Sequence, residues 1–395
     1  MLKGKKIIIG VTGSIAIYKI CNLCSMLKKL NADIHVIMTK NALNFINPIT
    51  FETLTNNKCI IDTFDRNFKY DVNHISLAKS ADLFLVAPAS ANVIGKIANG
   101  ICDDMLTTTL FAFTKTKIIS PAMNTNMYNN PILQDNLNKL RGYGYEILEP
   151  VWGHLACGDT GMGKLPSEEE ILNRIIYHLA FNHDLDGKNI LITAGPTVEA
   201  IDPVRYITNH SSGKMGYSLA KMAYLRGANV TLISGPSNEK IYNGINLINS
   251  TSAKDMFDKV KANYKSMDYI IMSAAIADYT PLEVSNNKIK KSDSNMEIKL
   301  KRTDDILEYL GLNKVGNQKL IGFSMETEDL LNNSKKKLLK KKCDMICANS
   351  LTNENTGFKS DTNLITLIKN DEIKELPFDT KLNLSNLILD EIIKL

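Results

Sequence analysis

The amino-acid sequence predicts an α/β protein with two doubly wound, Rossmann-like domains in tandem. The chain has 395 residues, whereas an ordinary domain has roughly 150. Short apolar runs alternate with segments of helical periodicity, which is typical of βαβ units and a parallel sheet. The pattern restarts after a polar linker at 182–187. We therefore expect a flavodoxin-like domain at 1–186 and a ribokinase-like or Rossmann-like domain at 187–395.

Apolar runs between turn residues define the strands expected in the first half. They are Lys6–Gly10, Asp33–Met38, Leu83–Ala87, Lys117–Ser120 and Tyr145–Leu148. Helical periodicity predicts helices at Ile15–Leu30, Asn92–Ala98 and Asp104–Phe113. Ser167, followed by acidic residues, predicts the start of a further helix that ends near Phe181, because a serine cap and negative charge suit a helix N-terminus.

The second half repeats this alternation. Its expected strands are Lys188–Thr193, Asn229–Ser234, Tyr269–Ser273, Lys319–Phe323, Met345–Ala348 and Asn363–Ile368. Helices are expected at Ser218–Arg226 and Ala253–Tyr264. The segment Pro281–Arg302 is rich in Asn and Lys, which predicts a loop with a short hairpin.

Composition narrows the classes of function. The net charge of +5 is too small to indicate nucleic-acid binding, and much of it lies in one lysine-rich run at 335–342. No run approaches the roughly 20 apolar residues of a membrane span. The seven cysteines show no disulfide-like pattern, which favours a reducing compartment. We expect a cytoplasmic protein that binds neither nucleic acid nor membrane.

Glycine and hydroxyl side chains lie in the turns after the first-half strands. Gly13 and Ser14 separate the first strand from its helix, and helix N-terminal amides at a strand end suit a phosphate. Thr12 and Ser14 break the GxGxxG spacing, so a dinucleotide site is disfavoured. A mononucleotide phosphate and a plain tight turn both remain open. Ser90 and Asn92 follow the third strand in the same way.

Two further turns carry side chains suited to catalysis. Asn124 follows the fourth strand beside Met123, where an amide can bind a carboxylate in an apolar pocket. Cys157 lies in the glycine-rich loop Ala156–Lys164, which is long enough to act as a lid. A lone cysteine, or a lone histidine such as His74, is more often a packing or surface residue. The motifs around these side chains favour a functional role for them.

The first half resembles the flavin-dependent cysteine decarboxylases, and phosphopantothenoylcysteine decarboxylase most of all. The resemblance covers residues 1–180 and rests on the motifs GSIAxYK, HISLAKSAD, APASANVIGKIANG, PAMNxxM and ACGDTGMGKL. It implies FMN as the cofactor. The residues implied near its phosphate are Gly13, Ser14 and Thr39, and those implied near its isoalloxazine ring are Ser90, Asn92 and Met123.

The same resemblance implies catalytic roles for three residues. His74 matches the active-site base, Asn124 the residue that holds the substrate carboxylate, and Cys157 the proton donor. Decarboxylation of an aminothiol carboxylate needs an electron sink, which flavin oxidation of the thiol to a thioaldehyde supplies. The reduced flavin returns the hydride, so the reaction is redox-neutral overall.

A hydroxyl- and glycine-rich segment, Asn209–Gly216, precedes the first helix of the second half. Its Gly-Lys pair invites a P-loop interpretation, but Met215 stands where GxxxxGK[ST] needs a hydroxyl. An anion cradle at a helix start remains. Asp278 follows small residues at a strand end, a place for a nucleotide with Mg²⁺ nearby, and Lys288 lies in a loop from which it could reach a triphosphate.

From about residue 188 onward the chain resembles phosphopantothenate–cysteine ligase of the bacterial, CTP-using type. This implies that CTP activates a carboxylate as an acyl-cytidylate, which the cysteine amine then attacks. Asn209 matches the residue that handles the acyl-cytidylate, Lys288 matches a phosphate contact, and Asp278 is the candidate metal ligand. The implied nucleotide contacts are Met272, Ser273, Ala274, Asp278, Lys288, Thr303, Asp304, Asp305, Ile306, Phe323, Lys337 and Lys341. Thr303-Asp304 replaces the family's Asn-Pro, a departure in the loop on the cytidine side.

In tandem the halves resemble the bifunctional enzymes of coenzyme A biosynthesis. The resemblance implies small-molecule substrates, namely 4′-phosphopantothenate, cysteine and CTP, and a homo-oligomer that reaches a dodecamer. A non-catalytic FMN-binding regulatory protein is the alternative, and intact His74, Asn124 and Cys157 argue against it. An NAD-dependent reductase is disfavoured, because neither half has GxGxxG.

Overall fold

The computed structural model describes residues 1–63, 73–290, 296–326, 329–350 and 360–395. The chain divides into two compact units, Met1–Phe181 and Asn182–Leu395. Each unit has its own largely parallel sheet and its own apolar core. No helix in the described ranges has both the length and the apolar character needed to cross a bilayer.

The first unit is built on a parallel sheet. Its strands are β1 (Lys6–Val11), β2 (Asp33–Met38), β3 (Leu83–Ala89), β4 (Thr116–Pro121) and β5 (Glu146–Ile147). They lie in the order β2-β1-β3-β4-β5, and every neighbouring pair is parallel. This is the strand order of flavodoxin-like folds, so the predicted fold class of this half is confirmed.

Helices cover both faces of this sheet. They are α1 (Ile17–Lys29), α2 (Pro48–Thr55), α3 (Asn73–Ser80), α4 (Ala91–Ala98), α5 (Met105–Ala112), α6 (Thr125–Tyr128), α7 (Pro131–Gly142) and α8 (Glu168–Leu179), with a 3₁₀ turn at Lys40–Asn44. Helix α8 begins as predicted, because the Ser167 hydroxyl accepts a hydrogen bond from Glu170 N at 3.2 Å. Phe84 and Phe113 meet edge to face in the core, with ring centroids 5.8 Å apart.

An antiparallel hairpin follows β5, and the sequence analysis did not predict it. Its strands are β6 (Val151–His154) and β7 (Thr160–Lys164), which pair with Gly153 opposite Gly161. The segment between them holds Cys157. The loop expected at Ala156–Lys164 is thus wrong from Thr160 onward, because Thr160–Lys164 pairs with β6 as a strand.

The second unit has a largely parallel main sheet, as expected, with antiparallel strands added at one edge. Its strands and those of its small accessory sheets are β8 (Asn189–Ala194), β9 (Val198–Ala200), β10 (Tyr206–Thr208), β11 (Asn229–Ser234), β12 (Asn246–Asn249), β13 (Tyr269–Met272), β14 (Tyr279–Pro281), β15 (Leu300–Arg302), β16 (Lys319–Glu326), β17 (Met345–Ser350), β18 (Thr362–Asn363), β19 (Ile365–Ile368), β20 (Ile373–Glu375) and β21 (Asp379–Thr380). The main sheet runs β12-β11-β8-β13-β16-β17-β19-β20. Its strands from β12 to β17 are parallel and follow the Rossmann order, whereas β19 and β20 are antiparallel additions at the edge.

Helices pack on both faces here as well. They are α9 (Lys214–Leu225), α10 (Ala253–Asn263), α11 (Ile306–Leu312), α12 (Leu330–Lys340) and α13 (Lys381–Ile392), with a 3₁₀ turn at Tyr264–Ser266. Helix α9 begins at Lys214, earlier than the Ser218 expected from periodicity, because Gly213 caps it with φ +85°. The hairpin expected within Pro281–Arg302 forms from β14 and β15 at the ends of that segment, and residues 291–295 between them lie outside the described part.

Candidate active sites

The turns after β1, β2, β3 and β4 lie at one edge of the first sheet, because parallel strands end on the same side. These turns carry Gly13 and Ser14, Thr39, Ser90, and Met123, in that order of strands. The structure therefore brings the residues predicted for FMN to one edge of the sheet. Asn92 is exposed in the first turn of α4, next to Ser90.

A buried threonine, Thr12, joins two of these turns. Its hydroxyl donates to Pro88 O at 2.6 Å and accepts from Ser90 N at 2.9 Å. Ser90 in turn caps α4, since its hydroxyl accepts a hydrogen bond from Val93 N at 3.4 Å. In the sequence Thr12 appears only as a departure from GxGxxG, and its bonding role depends on a strand 76 positions away.

The phosphate end of the predicted FMN site has polar atoms ready for a ligand. Thr39 Oγ1 is buried and has no hydrogen-bond partner in the described ranges. Buried polar atoms are nearly always paired, so this hydroxyl points to a ligand group that bonds it. Gly13 keeps the neighbouring turn close, because a Cβ there would lie 3.0 Å from the Cβ of Asn41. These residues fit a phosphate.

Three polar side chains meet where the hairpin turn reaches the end of β4. The Asn124 amide nitrogen lies 3.4 Å from the Cys157 sulfur and 3.1 Å from Asp159 Oδ2. The Cys157 thiol donates to the same carboxylate oxygen at 3.3 Å. Sequence reasoning found Asn124 and Cys157 but missed Asp159, although it lies only two positions after the cysteine in the quoted motif.

Close packing holds the hairpin in this position. Met123 N donates to Gly163 O at 3.0 Å. Gly163 has φ +138°, and a Cβ on it would lie 2.1 Å from Met123 O. A Cβ on Gly161 would lie 2.4 Å from the Thr125 hydroxyl. The glycines of the predicted lid therefore permit close contact between β7 and the turn after β4.

His74 lies on a different element from this cluster. It lies near the start of α3 and is half-buried. In the described part of the chain, no hydrogen bond links its ring to Asn124 or Cys157. The predicted base is thus not joined to the other two predicted catalytic residues within one copy of the unit.

Two cavities lie at the carboxyl edge of the second sheet. The first, of about 400 Å³, is lined by the turn from Asn209 to Gly216 and by Ser273. The second, of about 510 Å³, is lined by Met272 and by the loop from Arg302 to Glu308. The residues that line both are Ala274, Ile276, Asp278, Phe323 and Lys337. The cavities share a wall, and the predicted nucleotide contacts other than Ser273 and Lys288 line the second one.

Hydrogen bonds hold the second cavity in shape. Lys341 forms ion pairs with Asp305 at 2.6 Å and with Glu308 at 2.7 Å. Burial alone would lower the pKa of Lys341, but these two carboxylates outweigh it and raise the pKa. Thr303 donates its hydroxyl proton to Ala277 O at 2.7 Å, and its backbone N–H bonds Asp278 O at 3.0 Å. The loop that contains Thr303-Asp304 is therefore tied to the residues directly before β14.

Lys288 lies outside the lining of both cavities, on an anchored loop. Asp202, whose side chain is buried, accepts a hydrogen bond from Ile289 N at 3.1 Å. Arg205 pairs with Asp202 and donates to Ile289 O at 2.9 Å. The structure thus adds Asp202 as an anchor that the sequence analysis did not single out.

The predicted metal ligand, Asp278, is exposed in the shared wall of the cavities. Across the described ranges, no group of three or more His, Cys, Asp or Glu side chains is arranged to hold a metal ion. Mg²⁺ often relies on one or two carboxylates together with substrate phosphates, so Mg²⁺ at Asp278 stays a prediction.

Comparison with known proteins decides the family. Residues 1–180 match the Flavoprotein family, and residues 185–395 match the DNA/pantothenate metabolism flavoprotein C-terminal domain. The chain is 46% identical over 99% of its length to the coenzyme A biosynthesis bifunctional protein CoaBC of Bacillus subtilis, and covers 97% of that protein. The chain belongs to this family of bifunctional coenzyme A biosynthesis proteins.

A second relative of similar length agrees. The CoaBC protein of Borreliella burgdorferi is 44% identical over 95% of the chain, which covers 96% of that protein. A crystal structure of the C-terminal domain of a CoaBC protein is 41% identical, with a TM-score of 0.46, and covers 54% of this chain and 96% of its own. The predicted family and the prediction of a bifunctional enzyme, a lyase and a ligase, are confirmed, and the non-catalytic alternative is not favoured.

Proposed function

We propose that the second unit ligates cysteine to 4′-phosphopantothenate with CTP, and that the first unit decarboxylates the product to 4′-phosphopantetheine. The assignment of the decarboxylase to 1–186 and of the ligase to 187–395 belongs to this proposal. The observation that carries the decarboxylase is the meeting of Asn124, Cys157 and Asp159 at the sheet edge that carries the FMN turns. The cavities with a common wall carry the ligase.

In the decarboxylase, Gly13, Ser14 and Thr39 would hold the FMN phosphate, and the turns after β3 and β4 would hold the ring. The match of residues 1–180 to the Flavoprotein family supports a flavin there. When bound, FMN supplies the electron sink for loss of CO₂ by oxidising the substrate thiol to a thioaldehyde, and returns the hydride afterwards. The proposed ring contacts are Ser90, Asn92 and Met123.

The polar cluster handles the carboxylate and a proton. The Asn124 amide donates a hydrogen bond to the substrate carboxylate. This bond orients the carbon–carboxylate bond that breaks when CO₂ leaves. The Cys157 thiol would give its proton to the substrate carbon that has lost CO₂. Asp159 accepts from that thiol at 3.3 Å and so orients the proton before transfer. His74 is proposed as the base.

In the ligase, the second cavity would hold CTP and the first would hold 4′-phosphopantothenate. The N-terminus of α9, capped by Gly213, opens into the first cavity, where backbone N–H groups suit the substrate phosphate. A carboxylate is a poor electrophile and has to be activated before an amine can attack it. The carboxylate therefore attacks the α-phosphate of CTP, which releases pyrophosphate and forms an acyl-cytidylate. The cysteine amine then displaces CMP and forms the amide. The shared wall would bring the carboxylate to the α-phosphate.

Individual residues serve this ligation in the proposal. Lys337 and Lys341 neutralise the phosphates of CTP, and Lys288 joins them from its loop. Asn209, whose amide donates to Ala275 O at 3.0 Å, stands beside the acyl-cytidylate. Asp278 shares Mg²⁺ with the phosphates. A homo-oligomer and a cytoplasmic location stay predictions from the family resemblance and from the scattered cysteines.

One experiment tests both halves. Purified protein is given 4′-phosphopantothenate, cysteine, CTP and Mg²⁺, and pyrophosphate, CO₂ and 4′-phosphopantetheine are measured. We expect all three, from a yellow protein that releases FMN on denaturation. A colourless protein that does not take up added FMN contradicts the decarboxylase assignment. Failure to release pyrophosphate with all substrates present contradicts the ligase assignment.

A further inference from the structure

A buried threonine lies at the carboxyl end of the first strand of each unit and bonds the neighbouring strand and the turn after it. In the first unit β1 pairs with β3, with Gly10 opposite Val86. Thr12 follows β1, and its hydroxyl donates to Pro88 O at 2.6 Å and accepts from Ser90 N at 2.9 Å. The donor N–H thus lies two positions beyond the residue that accepts from the threonine.

The second unit has the same relation. Strand β8 pairs with β13, with Thr193 opposite Met272. The Thr193 hydroxyl donates to the Met272 sulfur at 3.8 Å and accepts from Ala274 N at 3.1 Å, again two positions beyond the residue that accepts from it. The two acceptors differ in kind, since Pro88 offers a backbone oxygen and Met272 a side-chain sulfur. Both threonines are fully buried.

The position of these bonds gives them a functional meaning. In a doubly wound sheet the crevice for a ligand opens where two neighbouring strands send their helices to opposite faces. Strands β1 and β3, and likewise β8 and β13, are those neighbours. The N–H groups held by the threonines belong to Ser90, which caps α4, and to Ala274, which lines both cavities.

We infer that Thr12 and Thr193 are equivalent positioning residues, which hold the ligand-binding turn across the crevice in place, Thr12 for FMN and Thr193 for CTP. Each acts through the backbone of the residue it bonds, at Ser90 and at Ala274. The inference rests on the proposed function, since it assigns each threonine to the ligand proposed for its unit.

Threonine-to-valine and threonine-to-serine variants of the full-length chain test this. Thr12→Val keeps the shape but leaves Ser90 N without its acceptor, so we expect about a tenfold rise in the Kd for FMN. Thr193→Val is expected to raise the KM for CTP about tenfold. The serine variants keep the hydroxyl and are expected to restore near wild-type values. Flavin fluorescence measures the first, and pyrophosphate release the second.

Each valine variant is the folding control for the other. Thr12→Val is expected to leave the KM for CTP unchanged, and Thr193→Val the Kd for FMN. The inference is overturned if either valine variant keeps the wild-type value for its own ligand, if it disturbs both ligands equally, or if serine fails to restore binding. If wild-type protein itself binds no FMN or uses no CTP, the proposed function has failed, which is a separate result.

Discussion

The thiol of Cys157 donates a hydrogen bond to the carboxylate of Asp159, with sulfur and oxygen 3.3 Å apart. The same oxygen accepts from the Asn124 amide at 3.1 Å. A substrate carboxylate that binds Asn124 therefore lies close to the Cys157 thiol, whose proton is held by its hydrogen bond to Asp159. This geometry assigns a role to a carboxylate that lies outside the catalytic residues predicted from the sequence.

Asp159→Asn is expected to slow decarboxylation about tenfold, the equivalent of one hydrogen bond to a charged group. The amide keeps the shape but no longer offers a carboxylate to the thiol. The measurement is kcat for CO₂ release from 4′-phosphopantothenoylcysteine, with FMN content measured alongside. Asp103→Asn is the matched control, because Asp103 is an exposed carboxylate of the same unit that pairs with Lys96. Equal rates for wild type and Asp159→Asn would remove Asp159 from the mechanism.

Gly163→Ala is expected to destabilise the first unit by about 2–4 kcal/mol and to reduce decarboxylation. The new Cβ would lie 2.1 Å from Met123 O, at φ +138°. Thermal unfolding followed by flavin release measures the effect. Gly142→Ala serves as control, since nothing lies within 4 Å of a Cβ there. If the two variants unfold alike, the hairpin does not depend on close contact at Gly163.

Sequence periodicity predicted much of the fold, because it reports burial along a single element. Asp33–Met38 and Asn229–Ser234 are strands with the predicted bounds, and Ser167 caps α8 as predicted. The strand expected at Asn363–Ile368 is present as β19, but its antiparallel direction and the presence of β20 were beyond this reasoning. A short apolar run looks the same whichever way it pairs, and pairing direction depends on the chain that precedes it.

The sites were less accessible to sequence reasoning than the fold. The Asn124 and Cys157 side chains are 33 positions apart in the chain and meet only because β6 and β7 fold back as a hairpin. Asp202 reaches Ile289 across 87 positions. Motifs therefore identified several candidate side chains, while the residues that hold them in place depend on tertiary contacts that no local pattern records.

Asp202→Asn is expected to raise the KM for CTP about tenfold, with a smaller effect on kcat. The carboxylate pairs with Arg205 and accepts from Ile289 N, so its loss releases the loop that carries Lys288. Pyrophosphate release against CTP concentration measures this change. Asp258→Asn is the control, because Asp258 forms an exposed pair with Lys254 within one helix. A KM equal to that of wild type would contradict the anchoring role.

The acid stability of the first unit is expected to depend on Glu146. Burial alone would raise the pKa of this carboxyl group, but hydrogen bonds from His178 and Arg174 outweigh burial and hold the pKa below its usual value. A lowered pKa in the folded state adds stability above the unfolded-state pKa of about 4.3, and this stability is lost as the pH falls through the folded-state pKa.

Glu146→Gln removes this titration. The variant is expected to be less stable than wild type at pH about 6, with a difference that shrinks as the pH falls below about 4.3. Thermal unfolding of the flavin-bound protein, followed by flavin fluorescence across this pH range, measures both curves. Glu169→Gln is the control, because Glu169 is exposed on α8, the helix that carries Arg174 and His178. Parallel curves for wild type and Glu146→Gln would show that another carboxyl group governs the loss of stability in acid.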